Sequence, residues 1–170
     1  IDESLSLGHC LNSGVKVGAK NNSEFFAKID ADDWYGSSYI SDMVSISKYY
    51  EAEVVCKKSV IIQLNHINQT RIKNINSTFR LVDRGAGGTI FFNKDVSNKI
   101  NFTEGLEYGT DYDFFNQLIL NNIPVLSSDP FNYVYRRNAS GHTWNVSDDK
   151  IVSNSRLIGP AQISENLAEY

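Results

Sequence analysis

Residues 25–33 read Phe25-Phe26-Ala27-Lys28-Ile29-Asp30-Ala31-Asp32-Asp33. A largely apolar run ends abruptly in three carboxylates within four positions. The run predicts a buried strand over 25–29 that ends at Asp30. In an extended segment Asp30 and Asp32 project to the same side. Three like charges this close repel one another unless a cation or a hydrogen-bond donor satisfies them. In open α/β sheets, ligands bind beyond the carboxyl ends of the strands. Two readings stay open from spacing alone. One is a hard divalent cation held against a diphosphate. The other is an acidic surface turn with Asp33 capping the next helix.

Working outward, strand-like and helix-like runs alternate, which argues for an α/β domain. Residues 6–19 have Leu7, Leu11 and Val15 at fourfold spacing, the pattern of a helix. Asn21-Asn22-Ser23 stops it. After a turn at Trp34-Tyr35-Gly36, Ser37 or Ser38 can cap a helix to about Tyr50, with Ile40, Met43 and Val44 as its inner face. Residues 53–56, 59–64, 89–92, 124–127 and 131–135 are strand candidates. Residues 65–78 are polar and carry no clear periodicity. Gly85-Ala86-Gly87-Gly88 reads as a flexible turn. A further helix starts near Asp111, where Phe114/Leu118 and Phe115/Ile119 form apolar pairs, and Asn121-Asn122 and Pro124 end it. Residues 147–170 read as a partly helical tail.

The 170 residues suffice for one sizeable core, with 41% hydrophobic and 12% aromatic residues. No apolar run approaches the roughly 20 residues of a membrane helix. The start, Ile1-Asp2-Glu3-Ser4, is acidic and polar, unlike a signal peptide. A net charge of −4 offers no general footprint for nucleic acid. Cys10 and Cys56 form no disulfide framework and lack metal-site spacing, so they read as small buried hydrophobes in a reducing compartment. Asn-x-Ser/Thr matches, as at Asn68 and Asn138, are what 18 asparagines yield by chance.

Other motifs narrow the chemistry. An EF-hand loop is excluded, because Trp34 and Tyr35 stand where a ligand and a glycine are needed. The glycine stretch fails as a dinucleotide fingerprint, with Ile90 in place of the last glycine. Asp111, in Gly109-Thr110-Asp111-Tyr112-Asp113, falls in the first turn of a predicted helix. The helix dipole there favours an ionised carboxylate, which can act as a base or simply as a cap. In Tyr133-Val134-Tyr135-Arg136-Arg137, Arg137 or Arg136 can pair with phosphate oxygens. His142 can ligate a metal or contact a phosphate.

Taken in order from about Leu7 to Trp144, these pieces resemble the family 2 glycosyltransferases of the GT-A fold. Gly8-His9-Cys10-Leu11-Asn12-Ser13-Gly14 is similar to the family's G-x-x-x-N-x-G helix. Residues 25–33 resemble its strand and D-x-D motif. Gly87-Gly88-Thr89-Ile90-Phe91-Phe92 resembles the glycine segment near donor and acceptor, and Gly109-Thr110-Asp111 the segment carrying the catalytic base. The stretch from Phe131 to Arg137, with His142-Thr143-Trp144, is similar to members that build bacterial surface polysaccharides. Thr110 departs from the commoner Glu before the base.

The resemblance implies an α/β fold, a partial GT-A (Rossmann-like) mixed sheet flanked by helices. It implies inverting transfer from a nucleotide-diphosphate sugar, a UDP-sugar, to a glycan or lipid-linked acceptor. Asp30 and Asp32 would hold Mg²⁺ or Mn²⁺, with His142 as a further metal contact. Arg137 and Gly88 would lie on the donor, Asp111 would be the base, and Trp34 would line the acceptor side or pack in the core. Residues 1–146 would be the C-terminal part of the catalytic domain, without the βαβ unit that binds base and ribose, and 147–170 a helical tail. The initial Ile1 agrees with that expectation, as does weak or absent nucleotide binding by this chain alone. A non-catalytic remnant or sugar-binding module of the same fold is the alternative, and a glycoside hydrolase a distant third. The implied setting is cytoplasmic, at or near the inner face of the cell membrane. Neither membrane association nor a homo-oligomer has a sequence feature of its own here.

Overall fold

The computed structural model describes residues 5–138 and 146–169. Helix α1 spans Leu7–Lys20 and starts at Ser6, whose Oγ accepts the His9 N–H at 3.3 Å. Strand β1 is Phe25–Ala27, β2 is Trp34–Tyr35, and helix α2 is Tyr39–Tyr49. Strands β3 (Val54–Cys56), β4 (Val60–Leu64), β5 (Gln69–Lys73), β6 (Arg80–Val82) and β7 (Phe91–Asn93) follow. Then come helices α3 (Lys94–Ser97) and α4 (Thr110–Leu120), and strands β8 (Val125–Ser127) and β9 (Tyr133–Arg137). The chain ends in helix α5 (Asp148–Ser153), strand β10 (Ser155–Gly159) and helix α6 (Ser164–Ala168).

The architecture is mixed α/β, as expected, but it has two sheets. The first runs β1-β7-β3-β8-β6 and the second β10-β5-β4-β9-β2. Each contains one parallel pair, β3 with β8 and β4 with β9, flanked by antiparallel neighbours. Strand alternation divides the first sheet's side chains between two cores. Val54, Cys56, Phe92 and Val125 pack with Phe114, Phe115 and Leu118 of α4, while Val55 and Phe91 pack with Tyr39 and Met43 of α2. Cys56 is fully buried, which pushes its thiol up to about 12. Cys10 is only half-buried.

Several local expectations change. The first strand stops at Ala27, and residues 31–33 form a turn, so Asp30 and Asp32 do not lie on one extended segment. The inner face of α2 centres on Tyr39, Met43 and Ser47, with Val44 and Ile46 packed beside them, and Ile40 is exposed. The tail from 147 supplies an edge strand as well as short helices. Buried Arg71 fastens it, donating to Ser155 Oγ at 2.8 Å and to the carbonyls of Val152 and Ser155 at 3.0 and 2.8 Å. Among the described residues no helix is long and apolar enough to cross a membrane.

The glycine–asparagine pattern of α1 has a packing role. Asn12 Nδ2 donates to the Phe102 carbonyl at 2.8 Å, and its Oδ1 accepts the Phe102 N–H at 2.9 Å. A Cβ on Gly8 would lie 2.2 Å from the Thr103 carbonyl oxygen. Glycine there lets residues 102–104 lie directly on the helix. The segment is thereby anchored shortly before α4, the helix that carries Asp111.

Candidate functional site

The end of β1 and the start of α4 meet over the glycine turn at Gly87-Gly88. Strand pairing continues past Ala27, since the Lys28 N–H donates to the Ile90 carbonyl at 2.8 Å. The chain then turns through residues 30–33. Tyr35 fixes that turn to the glycines. Its hydroxyl accepts the Asp30 N–H at 2.9 Å and donates to the Gly88 carbonyl at 2.7 Å.

The glycines are bare because carboxylates occupy the space of a side chain. A Cβ on Gly87 would lie 2.0 Å from Asp111 Oδ2. One on Gly88 would lie 2.8 Å from the Tyr35 hydroxyl, 2.9 Å from Asp30 Oδ2 and 3.1 Å from Asp33 Oδ2. Thr89 orders the turn, donating from Oγ1 to the Ala86 carbonyl at 2.7 Å and accepting the Lys57 N–H at 2.9 Å. The stretch read as flexible is therefore a single turn of 3₁₀ helix, Gly87–Thr89.

Lys28 joins the two acidic segments. Its Nζ lies 2.5 Å from Asp30 Oδ1 and 3.3 Å from Asp111 Oδ1. Gly109, at φ +81°, delivers Asp111 into the first turn of α4. Burial raises the Asp111 pKa above its ordinary value, the Lys28 charge opposes the rise, and the Asp30 charge adds to it. Asp111 Oδ1 is buried with no hydrogen bond. Lys28 Nζ is its charged neighbour at 3.3 Å, and a carboxylate oxygen has a second lone pair that can accept a donor from outside the chain.

Asp33 has a different role. It accepts the Tyr133 hydroxyl at 2.6 Å and the Arg136 N–H at 3.1 Å, tying the turn to β9. Burial pushes its pKa up to about 6 despite both donors, and the Asp32 and Asp30 charges add to the rise.

Asp32 sits exposed at the tip of the turn. Arg137 is on β9 and donates from Nε to Asp148 Oδ1 at 2.8 Å and from its guanidinium to the Val146 carbonyl. It secures the start of the C-terminal segment. Trp34 packs against Ile61, Val134 and Ala168, which is the core-packing option for that residue. His142 and Trp144 lie outside the described residues.

Carboxylate oxygens on a part-exposed turn suit a hard divalent cation. Among the described residues, however, no three His, Cys, Asp or Glu side chains converge as a ligand set. Any cation here would need further ligands from solvent or substrate. Sequence reasoning missed Lys28, Tyr35, Tyr133 and the contact of Gly87 with Asp111. The −2 position of Lys28 relative to Asp30 was the only signal for the first.

No family model matches the sequence, and no curated protein matches it. Among solved structures, the S. aureus glycosyltransferase TarS (residues 1–349, in complex with UDP-GlcNAc) is similar in fold, with a TM-score of 0.58 at 18% identity. The match covers 80% of this chain and 40% of that chain. The chain thus shares a mixed α/β fold with that structure over most of its length, and it spans 40% of TarS 1–349.

Proposed function

We propose that this chain carries the acid–base and cation-binding part of an inverting, family 2 type glycosyltransferase that uses a UDP-sugar. The observation that carries the reading is the convergence of Asp30 and Asp111 on the bare backbone of Gly87-Gly88, with Asp111 Oδ1 buried and lacking a hydrogen-bond donor. An acceptor hydroxyl supplies that donor. As its oxygen bonds to the anomeric carbon, Asp111 takes the proton, and the carbon–phosphate oxygen bond breaks on the opposite face. The diphosphate leaves with the electron pair, and the configuration inverts. Raised proton affinity at Asp111 brings it closer to the range useful for a general base.

Asp30 and Asp32 are the residues that would hold Mg²⁺ or Mn²⁺, with the diphosphate completing the ligand set. When bound, the cation neutralises charge building on the leaving group. Gly88, packed against the Asp30 carboxylate, would present its backbone to the donor. The acceptor class is a glycan or a lipid-linked sugar, as in surface polysaccharide synthesis. The similarity to a UDP-GlcNAc complex supports the donor class.

Titration calorimetry with UDP in Mn²⁺ and in EDTA tests this reading. Binding, however weak, should require the cation and vanish in Asp32→Ala. Equal binding in EDTA would overturn the metal assignment, and cation-dependent binding without transfer by the full-length protein would favour a non-catalytic module.

A further inference from the structure

Lys28 bridges Asp30 and Asp111, and the proposed reaction does not use it. It is 5% exposed, and an ammonium so buried needs close compensation. That compensation comes from Asp30 Oδ1 at 2.5 Å and Asp111 Oδ1 at 3.3 Å. The backbone bond from Lys28 N–H to Ile90 carbonyl holds the residue in strand register, so the side chain is delivered inward from a fixed base. The same Asp30 carboxylate turns its other oxygen, Oδ2, toward Gly88.

We infer that Lys28 is a resident cation that balances Asp30 and Asp111 and competes with a divalent metal for Asp30. This rests on the assignment of Asp30 and Asp32 as metal ligands. When Asp30 engages the metal, the ammonium shifts its pairing to Asp111 and holds that carboxylate in place. Lys28 is therefore a positioning residue that couples the cation side of the site to the base side. A lysine with a purely structural role makes the opposite prediction. Its removal would disorder Asp30 and weaken metal binding, whereas removal of a competing charge strengthens it.

The test is Mn²⁺ titration of the ¹⁵N-labelled chain, read as paramagnetic broadening of the amides around Asp30 and Gly88. Lys28→Met should lower the Mn²⁺ concentration for half-broadening by about tenfold. Lys28→Gln, which keeps a hydrogen-bond donor without the charge, should shift it in the same direction, and Lys28→Arg should stay within about twofold of the parent. The spectra themselves report whether each variant is folded. Weaker or unchanged Mn²⁺ binding in a folded Lys28→Met or Lys28→Gln, with binding intact in the parent, overturns the role of Lys28 alone. No local broadening in any of the proteins overturns the metal assignment and this inference together.

Discussion

Gly87→Ala isolates the geometry of the base without touching its chemistry. The new Cβ would lie 2.0 Å from Asp111 Oδ2 and 2.6 Å from its Cγ. Ordinary contact begins near 3.4 Å, so the carboxylate must retreat by about 1.4 Å. Asp111 can retreat because its side chain is one-third exposed, at 33%. The fold therefore survives, at a cost of about 1–2 kcal/mol for the disturbed contacts. The reaction does not, since a misplacement of about 1 Å costs on the order of 100-fold in rate. The assay is transfer from a UDP-sugar by the full-length protein under steady-state conditions, alongside UDP affinity and thermal unfolding. The expected result is kcat down by about 100-fold or more with UDP affinity within about twofold. A Gly87→Ala variant with kcat within about threefold of the parent would refute the placement of Asp111 at the reacting centre.

Two further predictions concern the support beneath the carboxylates. Tyr35→Phe keeps the ring contacts to Tyr39 and Tyr133 but strands the Asp30 N–H and the Gly88 carbonyl. It should lower stability by about 2 kcal/mol, or about 4–8 °C in Tm, and weaken Mn²⁺-dependent UDP binding; a Tm within 1–2 °C (roughly the scale of a neutral change) would contradict the hub role. For Asp33, the folded pKa of about 6 lies above its ordinary 3.8, so between these values the folded chain binds more protons than the unfolded one. Its contribution is favourable at acid pH and is lost as pH rises from about 4 to 6. Urea titrations across that window should show a shallower decline in Asp33→Asn than in the parent, and parallel profiles would contradict the burial of this carboxylate.

The parts that sequence made legible are those where side-chain hydropathy carries the signal. Helices α1 and α4 declare themselves by fourfold apolar spacing, Asp30 stands at the end of a largely apolar run, and Asp111 falls in the first turn of α4. Strand β5 was illegible because its buried residues are Thr70 and Arg71, and polar burial mimics a loop. Asn68 and Asn74, both in left-handed conformations, bracket it and strengthen that impression. Strand β10 escaped notice because Arg156, Leu157 and Ile158 are all exposed and show no alternation of burial. Lys28 was invisible for a related reason. A lysine near a strand end ordinarily faces water, and only closure of α4 over the glycine turn turns its ammonium inward. Tyr35 gains its role through Gly88, which is distant in sequence.

In the proposed reaction Asp111 accepts the proton of the attacking hydroxyl. The most direct measurement is transfer by Asp111→Asn, which preserves shape and removes the base, with UDP binding measured on the same sample. UDP affinity should stay within about twofold while the transfer rate falls by about 100- to 10,000-fold. Unchanged turnover in Asp111→Asn, with the protein folded and UDP bound, would contradict that role.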